Sequence, residues 1–136
     1  MNAVPRVLFV CIENACRSQM AEGFARLHGD GRVAAFSAGS RPAATINPRA
    51  IAFMAERGID ISTNESKPLD AFADRSFDAV VTMGCGDACP WLPARRREDW
   101  AFPDPKHLPD AGFRGVRDDI EQRVVRLLAQ LKESAA

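Results

Sequence analysis

The stretch "VLFVCIENACRSQMAEGF", Val7 to Phe24, constrains this chain more than any other. Val7, Leu8, Phe9 and Val10 form a short continuous apolar run rich in β-branched and aromatic residues, which predicts a strand buried on both faces. Ser18 to Leu27 reads as a helix, with Met20, Phe24 and Leu27 on one stripe and Gly29 as its stop. Between them lies "CIENACR". Strand, short loop and helix together make an anion cradle, because loop amides and the helix N-terminus converge on one spot.

The rest of the chain alternates in the same way. Val33 to Ser37 predicts a second strand, ended by "AGSRP". Asn47-Pro48 reads as an N-cap followed by proline at the first helical position, opening a helix that runs to about Arg57 and stops at Gly58. "FDAVVTM", Phe77 to Met83, is a third buried strand, and "EDWAF", Glu98 to Phe102, a fourth. Phe113, Val116, Ile120, Val124, Leu127 and Leu131 recur at helical spacing and predict a C-terminal amphipathic helix. Alternation of buried strands and helices implies an α/β fold, a parallel sheet with helices on both faces. Ligands bind such sheets at the carboxyl ends of the strands. Cys11 ends strand one, Gly84 and Cys85 follow strand three, and Asp104 follows strand four, so one site can hold them all. If strands one and three are neighbours they lie ~4.8 Å apart. A disulfide spans Cα atoms ~4.4–6.8 Å apart, so Cys11 and Cys85 can then meet with loop movement alone.

Composition removes several function classes. The 136 residues carry 18 basic and 18 acidic side chains, so no charge excess marks a nucleic-acid surface. No apolar run approaches the ~20 residues of a membrane helix, and "MNAVPRVLFV" is too short in apolar residues for a secretory signal. The expectation is a cytoplasmic, monomeric protein whose four cysteines are reactive or metal-binding rather than structural disulfides.

"CIENACRS" fits the C-x5-R-S loop of the low-molecular-weight protein tyrosine phosphatase superfamily. With "CRSQMAEG", the "SAG" after strand two, "VVTMGCGDACP" and "EDWAFPDP" in that order, nearly the whole chain resembles the arsenate reductases built on that fold. The resemblance implies one domain over residues 1–136, a three-layer α/β/α unit whose four parallel strands run in the order 2-1-3-4. It implies Cys11 as nucleophile, Asp104 as acid/base, and Cys85 and Cys89 as a redox pair. The oxyanion would be bound by the loop residues Glu13, Asn14, Ala15, Cys16, Arg17 and Ser18. Arsenate is the implied substrate, with phosphate or sulfate competing; thioredoxin is the implied reductant ahead of glutathione or mycothiol, and no cofactor or metal is implied. Phosphatases of this fold usually carry proline where Gln19 follows "CRS", and aromatic residues where Lys106 and His107 follow "DP"; this chain also lacks tyrosine. Glu13 holds a loop position usually occupied by glycine. Cys85 and Cys89 are closer in sequence than the redox pair of the best-known thioredoxin-linked members. Some members hold potassium with an acidic residue in the loop where Lys67 lies, and the Lys67 ammonium is expected to take that cation's place.

The chemistry agrees with the name. A helix N-terminus and a neighbouring cation favour a thiolate, and Cys11 has both through the loop amides and Arg17. Ser18 can hydrogen-bond the sulfur. The planar Arg17 fork suits two oxygens of a tetrahedral oxyanion. Such a cradle does not separate phosphate from arsenate. Discrimination follows binding, because arsenic(V) held by one thiol is reduced when a second thiol attacks, whereas phosphorus(V) is not. Gly84 and Gly86 beside Cys85, and Pro90 after Cys89, give the redox segment freedom to refold.

Plainer readings apply to other residues. Cys16 is expected to be a packed side chain, His28 to meet the terminal carbonyls of the first helix, and His107 to face solvent. Arg95, Arg96 and Arg97 read as a solvated run, and Trp91, Trp100 and Phe113 as core. Cys85 and Cys89 have a spacing found in zinc motifs, but too few further ligands remain. Two other functions compete with arsenate reduction: a phosphatase acting on phosphate monoesters through Cys11, and a thiol sensor that binds oxyanions without turnover.

Overall fold

The computed structural model describes residues 4–72, 75–84 and 93–135, with side chains through residue 132. Four parallel strands form one sheet: β1 (Arg6–Cys11), β2 (Ala34–Gly39), β3 (Phe77–Thr82) and β4 (Ala94–Asp99). Their spatial order is β2-β1-β3-β4, the order expected. The β1 strand is paired on both sides, with Leu8 opposite Phe36 and Val80. Parallel pairing on both edges and cover on both faces account for its unbroken apolar run, and Val7 to Val10 are at most 1% exposed.

Helices α1 (Arg17–Gly29), α2 (Pro48–Ala55) and α3 (Asp110–Ala135) supply the larger core. Phe9 and Val81 of the sheet meet Met20 and Phe24 of α1, Phe53 and Met54 of α2, and the α3 stripe from Phe113 to Leu131. Leu8, Val10 and Val80 point to the other face, where Phe72 of a short 3-10 turn (Leu69–Phe72) and Phe77 cover them. Among the described residues this second layer is therefore a turn and an aromatic cluster, whereas the three α-helices share the first face.

Several placements differ from the sequence reading. The strand expected at Glu98–Phe102 lies earlier, and includes the arginine run that reads as solvated. Among the described residues it is an edge strand, paired to β3 alone, so a run of charged residues is tolerated and discourages further strand pairing. Trp100, buried beyond its end, is core as expected. Leu27 is 49% exposed, because the α1 stripe turns away from the core one turn before the helix ends. That helix includes Gly29 and stops at Asp30, which takes the left-handed conformation at φ 46°. The α2 start is as expected: Asn47 Oδ1 accepts from the Arg49 amide at 2.8 Å, and Pro48 fills the first position.

Candidate active site

The loop from Cys11 to Arg17 joins β1 to α1, and its carbonyls from Cys11 to Cys16 all bond outward. Those of Cys11, Ile12 and Glu13 accept from the amides of Ser40 (3.3 Å), Arg41 (2.8 Å) and Ala43 (2.9 Å). Those of Ala15 and Cys16 accept from the amides of Asn47 and Met20, each at 2.9 Å. The Asn14 carbonyl accepts from Gln19 Nε2 at 3.1 Å. A trans peptide unit holds its N–H opposite its C=O, so outward carbonyls turn the following amides inward. The first turn of α1 adds its own amides, with no side-chain cap and no acidic residue to compete for an anion. Gly39 makes this path possible: a Cβ there would lie 2.6 Å from the Ile12 carbonyl oxygen and 2.8 Å from the Asn14 nitrogen. The "SAG" signature thus reflects a close backbone approach.

A buried polar chain reaches the Cys11 sulfur. Asn14, in the left-handed region at φ 51°, donates through Nδ2 to Ser18 Oγ at 2.8 Å. Ser18 Oγ lies 2.8 Å from Cys11 Sγ, and while it accepts from Asn14 its own hydroxyl proton is available to a Cys11 thiolate. Asn14 Oδ1 accepts from Gln19 Nε2 at 3.0 Å and from the Lys67 amide at 2.8 Å. Gln19 Oε1 accepts in turn from Asn64 at 3.1 Å. The side chains of Asn14 and Ser18 are therefore engaged in holding the loop's shape. Gln19, fully buried, joins this chain, whereas the sequence reading treated it only as a departure from phosphatases.

Arg17, 6% exposed, donates through Nη1 to the Phe102 carbonyl at 3.1 Å and approaches Asp104 Oδ2 at 3.8 Å. These contacts come from the segment after β4, as the strand-end rule requires. Asp104 also accepts from the Lys106 amide at 3.1 Å, capping a 3-10 turn over Pro105–His107. Gly84, at φ +84°, passes so close that a Cβ would lie 2.6 Å from Arg17 Nη1. Together Cys11, Glu13, Cys16, Arg17, Asn47, Asp104 and Lys106 line a cleft of about 220 Å³. A larger, mainly apolar groove between the ends of α1 and α3 contains neither thiol nor carboxylate.

Cys16 is packed as expected: burial above all, then the Asp104 charge, pushes its thiol up to about 12. Lys106 reaches Glu13 Oε1 at 2.7 Å, a pairing the sequence does not announce. Lys67 Nζ stands 4.0 Å from Oε1 of the buried Glu22 and donates to the Glu65 carbonyl at 2.8 Å. Glu22 is also paired with Arg26 at 2.9 Å, so a potassium ion beside it would face two cations, and the donor set does not fit one. Burial lowers the Lys67 pKa against the pull of Glu22 and Glu65. His28 meets Glu121 at 2.7 Å instead of its own helix end. Cys85, Cys89 and Trp91 lie outside the described residues.

The model of the family described as low molecular weight phosphotyrosine protein phosphatase matches residues 6–136. A glutaredoxin arsenate reductase of Synechocystis is 42% identical over 129 residues, 93% of this chain and 98% of that protein. An arsenate reductase solved in a phosphate binding state is 41% identical, with a TM-score of 0.85 over 94% of this chain and 99% of that one. The thioredoxin-dependent arsenate reductase of Corynebacterium glutamicum is 35% identical, with a TM-score of 0.83 over 98% of this chain and 64% of that one.

Proposed function

Because the chain belongs to the low molecular weight phosphotyrosine protein phosphatase family, we propose that its cradle holds arsenate and that the protein reduces it to arsenite. One observation favours reduction over phosphate-ester hydrolysis. The Met83 amide donates to the Val10 carbonyl at 2.8 Å, so β3 leaves the sheet beside Cys11, two residues before Cys85. Relatives that are arsenate reductases at about this level of identity support the same choice.

The Cys11 thiolate attacks arsenic, forming an S–As bond as hydroxide leaves with a proton from Asp104 as water. Inward amides and Arg17 hold the remaining oxygens. The Cys85 thiolate then attacks the Cys11 sulfur; the S–As electron pair passes to arsenic, releasing arsenite and leaving a Cys11–Cys85 disulfide. Cys89 attacks Cys85, frees Cys11, and leaves Cys85–Cys89 for an external dithiol. Thioredoxin is the donor favoured here, since Cys89 lies four residues from Cys85 and supplies the resolving thiol internally. The glutaredoxin in one relative's name makes that the competing route. The reaction belongs in the cytoplasm, where thiols are kept reduced.

The test is Cys89→Ser with thioredoxin. It is expected to release one arsenite per protein and stall as a Cys11–Cys85 disulfide, seen by mass analysis. Sustained turnover with glutathione and glutaredoxin, without that disulfide, would overturn the three-cysteine relay. Failure of reduced wild-type protein to yield any arsenite would overturn the reductase reading itself.

A further inference from the structure

Glu13 presents a difficulty for the site just described. It places a carboxylate on the loop whose work is to hold an anion, and both line the same cleft. The Cys11 thiolate adds another negative group, against Arg17 as the cation already assigned. The second cation is Lys106, whose Nζ lies 2.7 Å from Glu13 Oε1 across the cleft. We propose that Lys106 is an oxyanion-affinity determinant: its ammonium neutralises Glu13, which would otherwise repel the incoming anion. This inference rests on the cradle being an oxyanion site.

The geometry separates this electrostatic role from a structural one. The turn carrying Lys106 is held through its main chain: the Lys106 amide donates to Asp104, and the Lys106 and Leu108 carbonyls accept from Arg49 at 3.2 and 2.7 Å. The Glu13 stretch is likewise held through its carbonyl, which accepts from Ala43 N and from Ser66 Oγ at 2.8 Å. Removing either side-chain charge leaves those bonds in place. Glu13, through its hydrogen bond and charge, raises the Lys106 pKa, as a matched pair requires. Both side chains remain about two-fifths exposed, at 39% and 42%, so the pair acts at the rim, where charges tune affinity more than chemistry.

The probe is inorganic phosphate, titrated calorimetrically into fully reduced protein, with arsenate turnover measured in parallel. Lys106→Met is expected to weaken phosphate binding about tenfold, or about 1.4 kcal/mol. KM for arsenate should rise by a similar factor while kcat is largely kept. Lys106→Arg should bind within about threefold of wild type. Adding Glu13→Gln to Lys106→Met should restore binding, because no charge is left to neutralise. Unchanged binding in Lys106→Met would overturn the proposal. So would a double variant as weak as the single one, which would mean that Lys106 touches the anion itself or holds the fold. Wild-type protein that binds phosphate but yields no arsenite would end the reductase reading and leave this one standing; protein that binds no phosphate would end both.

Discussion

At the scale of residues, the site depends on one atom that is missing. Gly84 has no Cβ, and Arg17 Nη1 passes through the space where one would be, 2.6 Å away. Gly84→Ala therefore meets two obstacles: a positive φ that suits glycine, and an arginine with little room to retreat between Phe102 and Asp104. The backbone strain alone is of order 1–3 kcal/mol. Arsenate turnover should fall by roughly two orders of magnitude, since a small misplacement of a positioning group has that effect. Steady-state assays beside urea denaturation check it. A variant destabilised as expected but fully active would show that Arg17 does not need its present course. Glycine at 84 could be read from the sequence as a flexible point before Cys85, but its steric role could not, because Arg17 is remote in sequence.

At the scale of elements, α2 links the acid-bearing turn to the long α3 helix. Arg49 near its start binds the Lys106 and Leu108 carbonyls and lies over the Phe113 ring at 4.8 Å. Just beyond its other end, Glu56 accepts from Arg114 at 2.8 and 3.0 Å and from Arg117 at 2.6 Å. Hydrogen bonds from these arginines hold the Glu56 pKa at about 2, below the usual 4.5. A depressed carboxylate stabilises the fold above its unfolded value and loses that contribution as pH falls through its folded value. Glu56→Gln should thus lower the urea midpoint at pH 6, and the gap to wild type should narrow from about pH 4.5 to about pH 2. The group is exposed, so high salt should also reduce the gap. An equal difference at both pH values would mean that packing, not charge, joins the helices.

At the scale of the whole molecule, the cleft exists only when distant segments meet. The β1 loop, the Ser40–Ala43 stretch, Ser66–Lys67 and the Asp104 turn each contribute contacts to it. A ligand that needs all of them binds the folded state alone, and so stabilises it by mass action. Phosphate at a hundred times its dissociation constant should add about 2.7 kcal/mol to the stability of reduced protein, seen as a rise in Tm. Arg17→Lys should remove most of that rise, because a point charge does not replace a two-pronged contact. A rise of equal size in Arg17→Lys would place phosphate elsewhere on the molecule.

What the sequence determined by itself was local and periodic. The apolar run of β1, the Asn47 cap, the α3 stripe and the C-x5-R-S loop are each readable within a few residues, because burial and hydrogen bonding impose a fixed period or spacing there. The tertiary structure decided what depends on neighbours far along the chain. It moved β4 into the arginine run, since an edge strand needs only one partner and shows little apolar signal. It exposed Leu27, assigned Gln19 to the Asn14–Ser18–Cys11 chain, and paired Glu13 with Lys106 across 93 positions. Such pairings follow from where the fold brings two side chains together, and neither residue carries the other's position in its own surroundings.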